Sequence, residues 1–200
     1  YNRSGALARP GIYQASLALV ENGKVTPLDG PVSFEVKAIR EGVLKGIGYK
    51  EYNTYLNEIS KLYNSISAVE DVLSESIKMQ KAMAEALKRA KIIPGSIEPK
   101  IAGLKADLNR IKKSISGSPS KSEVGEKNPS GLDNYLYNAT LGLRDSYGPT
   151  ALHMKSLEIA KKLLADLRTE VISISNDKIP EIEKDLKEAG APYIMGQGID

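Results

Sequence analysis

The chain contains no cysteine and no tryptophan, only one phenylalanine and a single histidine, His153. The absence of cysteine excludes disulfide bonds and thiolate metal sites, although it does not assign a compartment. No apolar run approaches the roughly 20 residues of a membrane-spanning helix, so we expect no membrane span. The first residues, YNRSGAL, include neither an initiator Met nor the apolar region of a signal peptide. We therefore expect a fragment of a longer protein.

Neither sign of charge is in large excess, since the chain has 28 Lys and Arg residues and 25 Asp and Glu residues, a net charge of +3. Lysine and glutamate alternate along the predicted helices, which is typical of solvated helix surfaces. The densest basic stretch, NRIKK at 109–113, is interpreted as such a surface in preference to a phosphate-binding patch. We therefore expect no nucleic-acid partner.

Catalytic motifs are missing around the single histidine. His153 has no GxSxG or HExxH stretch beside it, which favours a structural or merely exposed residue over a triad or zinc ligand. The glycine-rich stretch 42–48, GVLKGIG, lacks the GK[ST] ending of a phosphate-binding loop and is interpreted as a linker. The sequence predicts no catalytic, cofactor-binding or metal-binding residue.

Carboxylate pairs could in principle hydrolyse a glycosidic bond if two faced one cleft. The acidic clusters are Glu70–Asp71 and the group Glu181, Glu183 and Asp185, and both fall on the polar faces of predicted helices. A solvated helix face is therefore the preferred interpretation of both clusters. No Glu-x-x-His spacing exists for a carboxylate-bridged iron site.

The first 40 residues predict three β-strands. Tyr13, Ala15, Leu17 and Leu19 alternate with Gln14, Ser16 and Ala18, the period-two pattern of a half-buried strand. Asn22-Gly23 suits the type I′ turn of a hairpin. The stretch DGP at 29–31 predicts a second turn, followed by a third strand over 32–36. Three strands with one apolar face need a second layer, supplied either by the helices or by chain that precedes this segment.

The remainder predicts a long antiparallel helical bundle over 49–192, after a linker at 41–48 and before a tail at 193–200. A helical stripe with no Gly or Pro runs through 49–93, and a heptad pattern follows Ser96 from Ile97 to Ile115. Polar residues at 117–131 predict a mobile loop, and a short helix covers Leu132 to about Ser146. A last helix is capped by Thr150.

Pro180 leaves two alternatives for that last helix: either it kinks there, or a new helix begins, capped by Asn176 or Asp177. Gly190 and Pro192 end the helical pattern. The lengths favour an up-down-up bundle whose middle leg is broken at the loop, with a four-leg bundle as the alternative. The predicted fold class is thus α+β, mostly α, with a short antiparallel β segment in front.

Tyrosine is unusually frequent, with ten residues. Exposed tyrosines could stack on sugars or anchor a partner. The preferred interpretation is that they close the end of the bundle against the β segment, with their hydroxyls in water. The tyrosines near the two helix starts are Tyr49, Tyr52, Tyr55, Tyr63, Tyr135, Tyr137 and Tyr147.

Three stretches resemble one family: RPGIYQASLALVENGKVTPLDGPVSFEVK at 9–37, LYNATLGLRDSYGPTALHMKSLEIAKK at 136–162 and DKIPEIEKDLKEAGAPYIMG at 177–196. They are similar to the C-terminal region of secreted bacterial sortilin-like, BNR-repeat proteins, which carry a β-propeller, then a sandwich, then helices. The resemblance implies that the β-strands within residues 1–40 are the end of an immunoglobulin- or fibronectin-like sandwich. It also implies a secreted or periplasmic location, with any hydrolase activity in the propeller.

The function implied is a non-catalytic C-terminal scaffold or interaction module that contacts the upstream domains of the same chain. A glycan-binding or glycoside-processing accessory unit, built from surface tyrosines and carboxylates, is the alternative. A protein or glycan partner fits either role. The regular stripe from Ile97 to Ile115 also leaves open an oligomer formed through a coiled coil.

Overall fold

The computed structural model describes residues 8–39, 46–92, 94–127, 129–144, 147–192 and 194. Two strands precede six α-helices, and a π-helical turn at Ile174–Lys178 joins the last two helices. The fold is mostly α with one antiparallel two-stranded sheet, which confirms the predicted class. The bounds are β1 Gly11–Glu21, β2 Lys24–Val36, α1 Tyr49–Leu87, α2 Ile97–Ser116, α3 Pro119–Glu123, α4 Leu132–Leu141, α5 Ala151–Ser173 and α6 Ile179–Glu188.

The strands form a hairpin around the predicted turn. Asn22 and Gly23 both have positive φ, 49° and 77°, as a type I′ turn requires. Strand pairing then runs from Val20 opposite Val25 down to Gly11 opposite Val36. The Asn-Gly prediction is therefore confirmed.

The predicted third strand is wrong, because β2 continues without a break through 29–31. The pairing changes register twice between Ala15 and Ala18 of β1, so that β2 accommodates two extra residues as bulges. Gly30 makes this possible: a Cβ there would lie 2.7 Å from the carbonyl oxygen of Ala15. Glycine and proline serve bulges as well as turns, so the DGP stretch alone does not separate the two.

The helices form an up-down-up bundle of three legs. Helix α1, 39 residues long, is the first leg. Helices α2 and α4 follow one another along it in the opposite direction as the middle leg, since Gly131 at the start of α4 approaches the carbonyl oxygen of Ile115 near the end of α2. Helices α5 and α6 form the third leg. This arrangement, with the middle leg interrupted at 117–131, is the predicted one.

One continuous apolar core joins the three legs. Every residue of the predicted heptad in α2 is buried, and the α1 stripe contributes Tyr52, Tyr55, Ile59, Leu62, Ile66, Val69 and Leu73. The third leg buries Leu157, Ala160, Leu164, Leu167, Val171, Ile174, Ile182 and Leu186. The heptad of α2 is thus used within the bundle, and Ile194 of the predicted tail is buried in the same core.

The third leg stays helical through Pro180. Pro180 has no N–H to donate to the carbonyl four residues earlier. A π-helical turn precedes it, in which the N–H of Ile179 donates to the carbonyl of Ile174, five residues earlier. The alternative of a new helix capped by Asn176 or Asp177 is therefore wrong. Gly190, with φ of 67°, ends the leg, and the N–H of Ala191 donates to the carbonyl of Leu186 at 3.0 Å.

Two predicted boundaries shift. The segment 117–131 contains the short helix α3. Helix α4 ends at Leu141 rather than near Ser146, because Gly142 to Arg144 form tight turns. Most of the predicted linker at 41–48 and of the tail at 193–200 lies outside the described residues, as do Asp145 and Ser146.

Candidate interaction site at the hairpin and the bundle end

Two of the predicted tyrosines are built into the core where α1 meets α4. Tyr52 and Tyr55 are only 2% and 6% exposed. Their hydroxyls donate to the carbonyls of Leu143 at 3.0 Å and Ala139 at 2.8 Å, so the expectation that these hydroxyls reach water is wrong. Burial is the main cause, and the charge of Glu58 the smaller one, that raises the pKa of Tyr55 to about 12. Both side chains therefore hold the middle leg rather than present a ring to a ligand.

A joint connects the base of the hairpin to this same end of the bundle. The guanidinium of Arg9 lies 4.3 Å from the ring centre of Tyr52, a cation–π contact. The ring of Tyr13 meets that of Tyr49 edge to face at 6.2 Å, and the Tyr13 hydroxyl donates to the carbonyl of Arg9 at 2.7 Å. Sequence reasoning missed Arg9 because nothing local pairs it with a residue on α1.

The segments that flank the joint are also held together. The N–H of Ile47 donates to the carbonyl of Tyr147 at 3.0 Å, which ties the start of α1 to the turn before α5. Gly148 has φ of 92°, and a Cβ there would lie 2.5 Å from Cγ1 of Ile47. Only glycine fits this contact without displacement, so the turn is closed tightly over the start of α1.

Beyond the joint the helices do not cover the hairpin. We call one side of the sheet the Tyr13 face, formed by Tyr13, Ala15, Leu17 and Leu19 of β1 with Val32 and Phe34 of β2. Phe34 stacks on Tyr13 at 5.9 Å, yet it is 48% exposed, and Leu17 and Val32 are 60% and 61% exposed. Of the two predicted sources of a second layer, the helices are therefore excluded for most of this face.

A groove of about 810 Å³ lies near the joint, between the starts of α1 and α5. Its carboxylates are Glu51, Glu58 and Glu158, with Tyr55 in its wall. Glu58 is paired with Lys161 at 3.0 Å. Glu51 accepts a hydrogen bond from the N–H of Gly48 at 3.3 Å. Two of these carboxylates thus serve local structure, and the buried ring of Tyr55 offers no stacking surface for a sugar.

The acidic clusters singled out in the sequence lie on helix surfaces. Glu181 and Asp185 both accept from Lys100 at 2.7 Å, linking α6 to α2. Burial raises the pKa of Glu183. The pKa of Glu70 is also raised, mainly by burial and to a smaller extent by the charges of Asp133 and Asp71. Glu70, Asp71 and Glu181 are exposed, as the solvated-face interpretation predicts, whereas Glu183 and Asp185 are half-buried.

The basic stretch 109–113 is partly neutralised. Arg110 binds Glu170 of α5 at 2.6 Å and lies 3.6 Å from Asp107. These pairs raise the pKa of Arg110, chiefly through the hydrogen bond to Glu170. Arg110 therefore ties α2 to α5 on the outside of the bundle, in keeping with a solvated helix face.

His153 has a structural role at the start of α5. Its Nδ1 accepts a hydrogen bond from the N–H of Thr150, the predicted cap residue, at 3.1 Å. The same relationship recurs at the start of α4, where Asn134 accepts from the N–H of Gly131 at 3.0 Å. In each case a side chain three residues into the helix satisfies the backbone of the cap residue.

Within the described ranges, no cluster of three or more His, Asp or Glu side chains is placed to hold a metal ion. In the same part of the chain, no helix is both long and apolar enough to cross a membrane. Comparison of the sequence with protein-family models and with curated proteins, and of the fold with solved structures, finds no match. The hairpin and its joint are therefore the features of the described structure that bear on function.

Proposed function

We propose that this chain is a non-catalytic scaffold and interaction module at the C-terminal end of a larger, secreted or periplasmic protein, and that its hairpin is the docking element. The observation that carries the proposal is the exposure of the Tyr13 face. Leu17, Val32 and Phe34 lie on one side of the sheet, as the inward residues of a half-buried strand do, and yet they are 60%, 61% and 48% exposed. An isolated two-stranded hairpin is marginal in water, so a further layer on this face would stabilise it.

The joint supports the same proposal. The base of the hairpin is fixed to the bundle by the cation–π contact of Arg9 with Tyr52 and the ring contact of Tyr13 with Tyr49. A partner bound along the hairpin would therefore be held at a defined angle to a helical leg that is on the order of 60 Å long. This is the property of a spacer or scaffold rather than of an enzyme.

The test is hydrogen exchange on the protein encoded by the longest open reading frame that includes these 200 residues. We expect amides of β1 and β2 to exchange at least about tenfold more slowly there than in the 200-residue chain, with the core amides of α2 unchanged. Equal exchange in both proteins would contradict docking. A reading frame that contains no further domain would contradict the larger protein.

A further inference from the structure

The groove between the starts of α1 and α5 is bounded at both ends. At one end, Glu58 of α1 and Lys161 of α5 form an ion pair at 3.0 Å. At the other end lie Ile47 and Pro149, on the two segments that the tight turn at Gly148 holds together. Its volume of about 810 Å³ is within the usual range of ligand pockets, about 300–1,000 Å³. The groove therefore has the size and the limits of a ligand site.

The floor of the groove is apolar. Tyr55 and Leu157 line it and are only 6% and 3% exposed, and Met154 borders it at 45% exposed. The hydroxyl of Tyr55 already donates to the carbonyl of Ala139, so that group does not serve a ligand. Burial of apolar ligand surface is therefore the main favourable contribution that this floor makes to binding.

Five charged side chains line the groove, and three of them are already engaged. Glu58 and Lys161 neutralise each other. Glu51 accepts from the backbone at the start of α1, where the helix dipole also favours a negative charge. Glu158 and Lys50 remain, and among the described residues neither is paired with a side chain of opposite charge. The groove thus presents one carboxylate and one ammonium group to a ligand.

These two charges lie at different levels along the groove. Helices α1 and α5 run in the same direction, and the ion pair of Glu58 with Lys161 sets their relative level. Lys50 precedes Glu58 by eight residues, and Glu158 precedes Lys161 by three. The difference of five residues corresponds to about 7.5 Å along the helix axes, at about 1.5 Å per residue.

The apolar floor lies between these two levels. Tyr55 precedes Glu58 by three residues, and Met154 and Leu157 precede Lys161 by seven and four. A ligand must therefore have its apolar part between an ammonium group and a carboxylate, whereas a zwitterionic lipid headgroup has both charges at one end of its chains. One amino acid is too short to reach both levels, but an extended peptide of two or three residues, at about 3.4 Å per residue, spans them.

We propose that this groove binds short apolar peptides with free termini. The ammonium group at the N-terminus of the peptide pairs with Glu158, and the carboxylate at its C-terminus pairs with Lys50. The apolar side chains between them pack against Tyr55, Met154 and Leu157. The two charges fix the direction of the peptide, and the bounded ends of the groove limit its length. This binding is separate from the docking of the hairpin and does not depend on it.

Titration of the 200-residue chain with trileucine is the test, followed by calorimetry and by the methyl resonances of the methionines. We expect a Kd below about 1 mM. The methyl resonance of Met154 should shift, whereas that of Met83, 0% exposed in the core, should not. Trileucine that is acetylated at its N-terminus and amidated at its C-terminus keeps its side chains but loses both charges. It should bind at least about fivefold more weakly.

Two sets of variants separate the groove from the rest of the surface. Thr54→Arg places a long side chain in the groove and should abolish binding, whereas Thr169→Arg should not. These threonines are matched, since both are exposed and donate to the carbonyl four residues earlier, at 2.9 Å and 3.1 Å. Glu158→Gln should weaken binding of trileucine about two- to fivefold but leave the capped peptide unaffected, and Glu98→Gln on α2 should change neither. Circular dichroism checks that each variant remains folded.

Several results would overturn this inference. Equal affinity for the free and the capped peptide would show that the charges are not recognised, and undiminished binding by Thr54→Arg would place the peptide elsewhere. Absence of binding by both trileucine and trivaline up to about 5 mM would exclude the peptide class. A Met154 resonance that shifts with protein concentration alone, with a dimer mass by light scattering, would show that a second copy occupies the groove. None of these results bears on the docking of the hairpin.

Discussion

The hydroxyl of Tyr55 donates to the carbonyl of Ala139, 84 residues further along the chain, at 2.8 Å. This contact joins the first leg of the bundle to the end of α4. Tyr52 makes the parallel contact with Leu143 at 3.0 Å, and its ring also receives the guanidinium of Arg9. One end of the bundle thus connects three distant parts of the chain, and the hairpin is attached there.

Tyr55→Phe should destabilise the chain by about 1 kcal/mol, because it removes a buried hydrogen bond while keeping the ring. The carbonyl of Ala139 keeps its bond from the N–H of Gly142 at 3.1 Å, which limits the loss. Urea unfolding followed by circular dichroism measures the difference. Tyr137→Phe, at an exposed position, is the control, and equal losses in both variants would contradict the role of the Tyr55 hydroxyl.

Gly148→Ala should destabilise by about 2 kcal/mol, since alanine is strained at φ of 92° and its Cβ would collide with Ile47. Exchange of the Ile47 amide should become faster in the same variant, because that amide bonds to Tyr147. Gly103→Ala is the matched control. Gly103 lies inside α2 with nothing within 4 Å of the added atom, so alanine there should stabilise by about 0.5–1 kcal/mol. A stabilised Gly148→Ala would refute the tight turn.

Ile111→Ala should cost about 2–5 kcal/mol, the usual range for truncating a fully buried aliphatic side chain. Ile111 is 0% exposed at the centre of the α2 heptad. Leu152→Ala, at an exposed position on α5, should change the free energy of unfolding by less than about 0.5 kcal/mol. If α2 instead packed on another molecule, the Ile111→Ala loss would vary with protein concentration, and we expect it to be constant.

Asp107 should make stability depend on pH. Its pKa is lowered, chiefly by the hydrogen bond from Lys178, with the charges of Lys178 and Arg110 adding to the effect and burial opposing it. A carboxyl with a lowered folded-state pKa stabilises the protein at neutral pH, and this contribution is lost as the pH falls through that pKa. Asp107→Asn should therefore destabilise by about 0.5–1 kcal/mol at pH 7.

The difference between Asp107→Asn and the parent chain should shrink as the pH falls below about 4, the ordinary range of an aspartate. Thermal unfolding at a series of pH values measures it. Glu75→Gln, which removes an exposed ion pair with Lys78, should have no measurable effect at any pH. A difference for Asp107→Asn that stayed constant with pH would exclude the ion pair as its cause.

Local patterns in the sequence determined the helices, the hairpin turn and the order of the legs. The spacing of Ile97 to Ile115 requires a helix with one apolar face, and Asn22-Gly23 suits positive φ at two successive positions. Thr150 marked the start of α5, and the lengths of the legs favoured the up-down-up bundle over the four-leg alternative. These features depend on neighbours within a few residues, so the sequence carries them directly.

The tertiary structure decided the features that depend on residues distant in the chain. Asp29 to Pro31 form bulges rather than a turn because Gly30 packs against Ala15 on the partner strand. A π-helical turn accommodates Pro180 within the third leg, because Ile174 before it and Ile182 after it are both held in the core. Pattern alone assigns these residues to several structures, and packing against distant atoms selects one of them.

The exposure of the hairpin belongs to the same class of result. The larger apolar side chains of Leu17 and Leu19 at alternate positions of β1 show that a face is suited to burial, but they do not show what buries it. The positions of the helices leave that face open, while Arg9 and Tyr13 fix its base to Tyr52 and Tyr49. Composition and periodicity thus determined which surfaces are apolar, and the long-range contacts determined which of them the chain covers itself.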